Sequence, residues 1–134
     1  MAEQISSLLR RSVRQLADEV PASYQLTLDT LGPLVVALDV DDEHFSLTGG
    51  HQLVVADGEP VSANVRITTS RATILDVLDA NVGLRDAVDA GTVGVRGSLD
   101  DVLRVHDTLR AYVHAAVRAP TQAGLLDALR ESSP

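Results

Sequence analysis

The side chains best suited to chemistry near neutral pH are the four histidines, His44, His51, His106 and His114. His106 and His114 stand eight apart on one predicted helix, about 80° apart in projection. That is not the i, i+4 spacing that aims two imidazoles at one metal ion. His106-Asp107 is a lone pair with no second carboxylate motif. The chain has no Cys, which removes disulfides and thiolate metal sites together. Serine nucleophile elbows and zinc spacings are absent. Gly91-Thr92-Val93-Gly94-Val95-Arg96-Gly97 spells G-x-x-G-x-x-G, but a phosphate cradle needs a strand before it and a helix after it. Here a predicted helix precedes and a predicted strand lies within. Asp39, Asp41, Asp42 and Glu43 crowd one turn without the ligand spacing of a calcium loop, and read as solvated acids. The expectation is no metal, no cofactor and no catalytic constellation.

The elements that would position any site come from a chain of 134 residues, the size of one domain. Such a domain buries roughly two-thirds of the surface its unfolded chain exposes, enough for one core. All eleven cations are Arg, and the formal charge is -8. An acidic balance repels phosphate backbones and anionic lipid surfaces, so nucleic acid is not an expected partner. The aromatics are Tyr24, Phe45 and Tyr112 alone, too few for a base-stacking platform. No stretch approaches the ~20 continuous apolar residues of a membrane span. The N-terminal residues carry no signal-peptide pattern. A soluble, cytoplasmic protein without stable membrane insertion is expected.

Residues 3 to 20 show helical period through Ile5, Leu8, Leu9, Val13, Leu16 and Val20, and Pro21 sets the end. Tyr24, Leu26 and Leu28 alternate with polar residues and predict a strand. Leu34 to Val40, Phe45 with Leu47, His51 to Ala56 and Val61 to Thr69 continue an antiparallel series, with Asp57-Gly58 as a hairpin turn. Ser70 caps a helix to about Asp79, and a short helix runs from Leu84 to Ala90 with Gly91 closing it. Val93 and Val95 mark one more strand. Ser98 caps a helix to about Arg118, and Pro120 stops it. Leu125, Leu126 and Leu129 suggest a last amphipathic turn in a C-terminal helix and tail over 120–134. Segregated strands and helices predict an α+β fold: a mainly antiparallel five- or six-stranded sheet with helices on one face.

Ala63 to Ser70, Ile74 to Leu78, and above all Leu84 to Ser98 carry a resemblance to the sterol carrier protein type 2 domain family. The last stretch is similar to that family's helix, glycine, short alternating strand, glycine and polar cap. The match covers roughly residues 30 to 115. It departs from the family at Thr92 and Gly94, where members usually have Lys, and at Val88 and Asp89, where aromatics are common. The resemblance implies an apolar tunnel between sheet and helices that accepts an acyl chain, a sterol or a similar ligand.

Inward-facing positions of the helices and the last long strand are the expected lining: Ile67, Leu75, Leu78, Val88, Leu99, Val102, Leu103, His106, Leu109 and Val113. Periodicity says that these point inward; it does not separate core from cavity wall. Two main functional classes follow, and a third stands behind them. One is a carrier or sequestering protein for a hydrophobic small molecule. The other is a cofactor-free cyclase or isomerase in the same tunnel, using one or two groups such as His106, Tyr112, Arg110 or an Asp. A third is an interaction domain that forms a homodimer through its N- or C-terminal helix.

Overall fold

The computed structural model describes residues 4–78, 81–122, 124 and 127–128, without the side chains of Leu78 and Leu84. The C-terminal turn expected at Leu125, Leu126 and Leu129 lies outside the described residues.

Two helices open the chain, α1 (Ile5–Glu19) and α2 (Pro21–Leu31). α1 buries the predicted stripe at Ile5, Leu8, Val13 and Leu16. Pro21 does end the first helix, and it also starts the second. At a first-turn position its missing N–H leaves no bond unmade. α2 therefore replaces the strand expected over Tyr24 to Leu28. Tyr24, Leu28 and Leu31 satisfy a helical period (i, i+4, i+7) as well as any alternation does. Leu28 and Leu31 are 3% and 0% exposed, whereas Leu26 is 58% exposed. Burial chose between the two periods.

Four strands follow: β1 (Val35–Val40), β2 (Glu43–Thr48), β3 (Val54–Asp57) and β4 (Val65–Thr69). Then come α3 (Arg71–Leu78), α4 (Leu84–Asp89), β5 (Gly94–Gly97) and α5 (Leu99–Ala116). The sheet order is β3-β2-β1-β4-β5. Three pairings are antiparallel and β1–β4 is parallel, so the fold is α+β with a mixed, mainly antiparallel sheet of five strands. Asp57-Gly58 does not close a hairpin, because β3 lies at one edge beside β2 while β4 pairs with the far side of β1. A turn dipeptide fixes a bend; it does not fix which strand edge the chain reaches next. β2 already fills one edge of β1, and the register Val36↔Val65 and Leu38↔Ile67 puts Val65 and Ile67, 1% and 5% exposed, beneath the helices.

Strand alternation sorts the two faces. Val36, Leu38, Phe45, Val55, Ile67 and Val95 share the face against the helices, where two apolar clusters form. One is built around Leu28, Leu31, Leu34 and Val105, the other around Ile5, Leu8, Val40 and Phe45. α2 packs chiefly on α5, and α1 on β2, β3 and α2.

The acidic turn between β1 and β2 does more than stay wet. Glu43 accepts the N–H of Ile5 (2.9 Å) and of Ser6 (3.4 Å), and so satisfies the start of α1. Asp41 accepts the N–H of Arg71 (3.1 Å) at the start of α3. Asp41 itself takes a left-handed conformation (φ 53°), tolerable for a short polar side chain in a two-residue turn. One turn thus holds two helices from different parts of the chain.

Candidate functional site

α4, α5, β4 and β5 meet around an apolar cleft. Three local devices hold them. Ser98 accepts the N–H of Asp101 (3.2 Å) and caps α5. Gly91, at φ +79°, ends α4 with the N–H of Gly91 on the Val88 carbonyl and that of Thr92 on Ala87, a Schellman arrangement. The Thr69 hydroxyl donates to the Thr92 carbonyl (3.0 Å) and ties β4 to the same turn. The chain thereby passes from α4 into β5 over a few residues, and α5 returns across the sheet.

The cleft has a volume of about 340 Å³. Its floor is Ile67 and its cross-strand partner Val95, with Val93 and Val105. Val102, Val105, His106 and Leu109 project from α5 at i, i+3, i+4 and i+7. Val88 and Leu103 form the rim and are 39% and 53% exposed. Three polar side chains reach the lining: Arg85, Asp89 and His106. Arg85 and Asp89 stand one turn apart on α4 without an ion pair between them. Arg before Asp is the order opposed by the helix dipole. His106 Nδ1 lies 3.9 Å from the Asp107 carboxylate.

Six of the ten expected positions come together here: Ile67, Val88, Val102, Leu103, His106 and Leu109. Leu75 packs instead with the cluster of Ile5, Val40 and Phe45. Leu99 stands in solvent, 73% exposed. Val113 is half-buried beyond the end of the cleft. The side chain of Leu78 lies outside the described residues. Arg85, Asp89, Val93, Val95 and Val105 complete the lining without having been singled out. Val93 and Val95 carry an alternating signal, and Arg85 and Asp89 flank Val88 at helical spacing; nothing in the sequence marks Val105 as wall rather than core.

Tyr112 and Arg110 are not part of the cleft. The Tyr112 hydroxyl bonds the Ser12 hydroxyl, and Ser12 also donates to Gln122 (2.6 Å). Burial pushes the Tyr112 phenol up, against the opposing effect of the Ser12 bond. The group joins α1, α5 and the segment after α5. Glu19 adds to it by accepting from the Thr121 N–H (3.2 Å).

A second hollow, of about 390 Å³, lies where α2 ends and β1 begins. The Gly32-Pro33 and Gly49-Gly50 turns supply four of its nine lining residues, and Asp29 is its one titratable side chain. Three aliphatic residues line it, Leu28, Leu34 and Val35, against eight in the α4–α5 cleft, so that cleft is the better candidate despite its smaller volume.

The open face of the sheet carries the third cluster. Asp39 and His44 are cross-strand partners, 2.7 Å apart from carboxylate to Nδ1. Arg66 donates to Asp39 (2.6 Å) and to Glu59. Ligand atoms of Asp39, His44 and Glu59 lie within 4.8 Å of one another, close enough for one metal ion. The guanidinium already spans the two carboxylates, so the group is a complete ion-pair network. Burial pushes the Asp39 carboxyl up, and hydrogen bonds from His44 and Arg66 outweigh it, for a net shift down. The bond to Asp39 holds His44 above its ordinary value.

No helix among the described residues is long and apolar enough to cross a membrane. No family model and no curated protein matches the sequence. Solved structures match the fold. The UbiJ-SCP2 ubiquinone synthesis protein superposes with a TM-score of 0.64 at 14% identity, over 84% of this chain and 92% of that one. Domain 2 of the sterol carrier protein of Helicoverpa armigera gives 0.63 at 10% identity, over 85% and 95%. Sterol Carrier Protein 2 from Yarrowia lipolytica, in its apo form, gives 0.58 at 14% identity, over 80% and 91%. The chain has the fold of a sterol carrier protein type 2 domain.

Proposed function

We propose that this protein binds a hydrophobic small molecule, an acyl chain or a sterol-like lipid, in the cleft between α4, α5 and the sheet, as a cytoplasmic carrier or sequestering protein. The observation that carries the reading is the lining: aliphatic side chains from four elements, with its few polar groups confined to Arg85, Asp89 and His106. Ligand pockets run from about 300 to 1,000 Å³, so about 340 Å³ suits one chain or a small ring system. Each buried methylene contributes about 0.8 kcal/mol, roughly a fourfold gain in affinity.

Fluorescence titration with saturated acyl probes of increasing length tests this. Affinity is expected to rise by roughly that factor per methylene and then level off when the cleft is full. Leu103→Trp adds bulk at the rim, where half-exposure lets the fold accept it. It should abolish uptake with the circular dichroism spectrum unchanged. Equal binding by a folded Leu103→Trp variant would place the ligand elsewhere. Conversion of the probe during incubation would favour the cyclase or isomerase reading instead.

A further inference from the structure

The two hollows lie against one apolar cluster. Leu28 and Leu34 line the second hollow, Ile67, Val93 and Val105 line the cleft, and all five belong to the cluster that also holds Leu31, Val36 and Val65. Those last three line neither hollow. They are 0%, 2% and 1% exposed.

The strand register places them between the two. Val36 follows Leu34 by two residues, and its cross-strand partner is Val65. Two residues beyond Val65, on the same face of the sheet, comes Ile67 of the cleft floor. On the helix side, Leu31 stands in the last turn of α2, one turn after Leu28 on the same face. α2 packs chiefly on α5, the helix that carries Val105. Along the sheet, one pair of facing valines therefore separates the second hollow from the cleft. Along α2, one leucine does. Side chains packed to interior density leave few voids wider than a water molecule, so an acyl chain does not pass this layer.

We propose that Leu31, with Val36 and Val65, is the stop that ends the cleft and sets the length of the acyl chain it accepts. This inference rests on the function proposed above. The cleft is open to solvent at Val88 and Leu103 and closed toward α2. A chain enters at the rim, and each added methylene extends it toward Leu31. Beyond the length that reaches Leu31, further methylenes stay in water and add nothing to affinity. The residue that selects ligand length is thus a fully buried one that touches no solvent in either hollow.

The test measures the chain length at which acyl-probe affinity levels off, in the wild type and in folded variants. Leu31→Ala removes three side-chain carbons and should move that length up by about three methylenes. The first probes past the wild-type limit should then bind at least roughly tenfold tighter than they bind the wild type. Val65→Ala should move the limit by about two methylenes. Leu16→Ala removes as much volume from a different cluster, the one with Ala115 and Ala119, and should leave the limit where it is. Amide shifts of the ¹⁵N-labelled wild type supply a measurement that needs no variant. Bound probes of every length should perturb Ile67 and Val105 and leave Thr48, Gly49 and Gly50, in the second hollow, unmoved. An unchanged limit in folded Leu31→Ala or Val65→Ala, an equal rise in Leu16→Ala, or wild-type shifts at Thr48 to Gly50 overturns the inference and leaves the ligand reading standing. Absence of acyl binding by the wild type removes the ligand reading, and the inference falls with it.

Discussion

One face of the sheet turns Val36, Leu38, Phe45, Ile67 and Val95 toward the helices, and the other turns Asp39, His44, Arg66 and Arg96 toward solvent. The strands are the same; only the parity of the residue number differs. On the helix side, contacts are apolar and dense, and the cleft opens among them. On the open side, the bonds are ionic and exposed: His44 and Glu59 have side chains 54% and 50% accessible. The contrast teaches that stability and the cleft come from one side, and a pH-dependent adjustment from the other. Burial of apolar area is worth about 25 cal/mol per Å², whereas exposed ion pairs contribute on the order of 0–1 kcal/mol.

The largest effect that would sharpen this contrast is Phe45→Ala. Phe45 is 2% exposed in the cluster with Ile5 and Val40, and its truncation should cost roughly 3–5 kcal/mol. Val54, on the open face, is 42% exposed, and Val54→Ala should change stability by less than about 0.5 kcal/mol. Urea unfolding of both reads the difference, and similar costs would break the distinction between the faces. Next comes Gly97→Ala at the joint of β5 and α5. Its new Cβ would meet the Asn64 carbonyl oxygen at 2.8 Å. The expected loss is roughly 1–3 kcal/mol, together with weaker acyl-probe binding, because β5 forms part of the cleft floor.

The smallest effect is electrostatic, and its sign follows from the shifts. His44 is held above its ordinary value of 6.5 by Asp39, so its contribution is complete below that value and disappears as pH rises through the raised one. Asp39 is held below its ordinary 3.8, so its contribution is present above that value and is lost as pH falls through the lowered one. Urea midpoints of the wild type and His44→Gln should therefore differ most between these limits and converge at alkaline pH. A gap that widens above neutrality would show that His44 acts through packing. Acyl-probe affinity should be indifferent to His44→Gln, since the network lies on the other side of the sheet from the cleft.

Much of this was legible in the residues. Ser70 and Ser98 cap the helices they were expected to cap, with the Thr73 N–H on Ser70 at 3.1 Å and the Asp101 N–H on Ser98 at 3.2 Å. Gly91 takes the left-handed turn, and the α5 stripe supplies four residues of the cleft lining that were named in advance, Val102, Leu103, His106 and Leu109. These signals are local: a cap or a period involves residues within one or two turns. The α2 helix was hidden because Tyr24 and Leu28 fit two periods at once, alternation with Leu26 and a helical stripe with Leu31, and only packing on α5 separates them. The separation of Leu75 from the cleft was hidden too, since an inward-facing residue looks the same in a sequence whichever cluster receives it.

The sequence by itself determined the class of the fold, the acidic balance, the exclusion of thiol chemistry and three caps, at Ser70, Gly91 and Ser98. Composition and short-range spacing are properties of neighbours along the chain. Tertiary structure alone decided that β4 joins β1 in parallel, that Asp41 and Glu43 hold the starts of α3 and α1, that Asp39, His44, Glu59 and Arg66 converge, and that Leu103 borders a cavity while Leu99 stands in solvent. Each of these depends on groups far apart in the chain competing for the same edge, cation or apolar surface. That competition is settled by the total free energy of the packed molecule and by no local pattern.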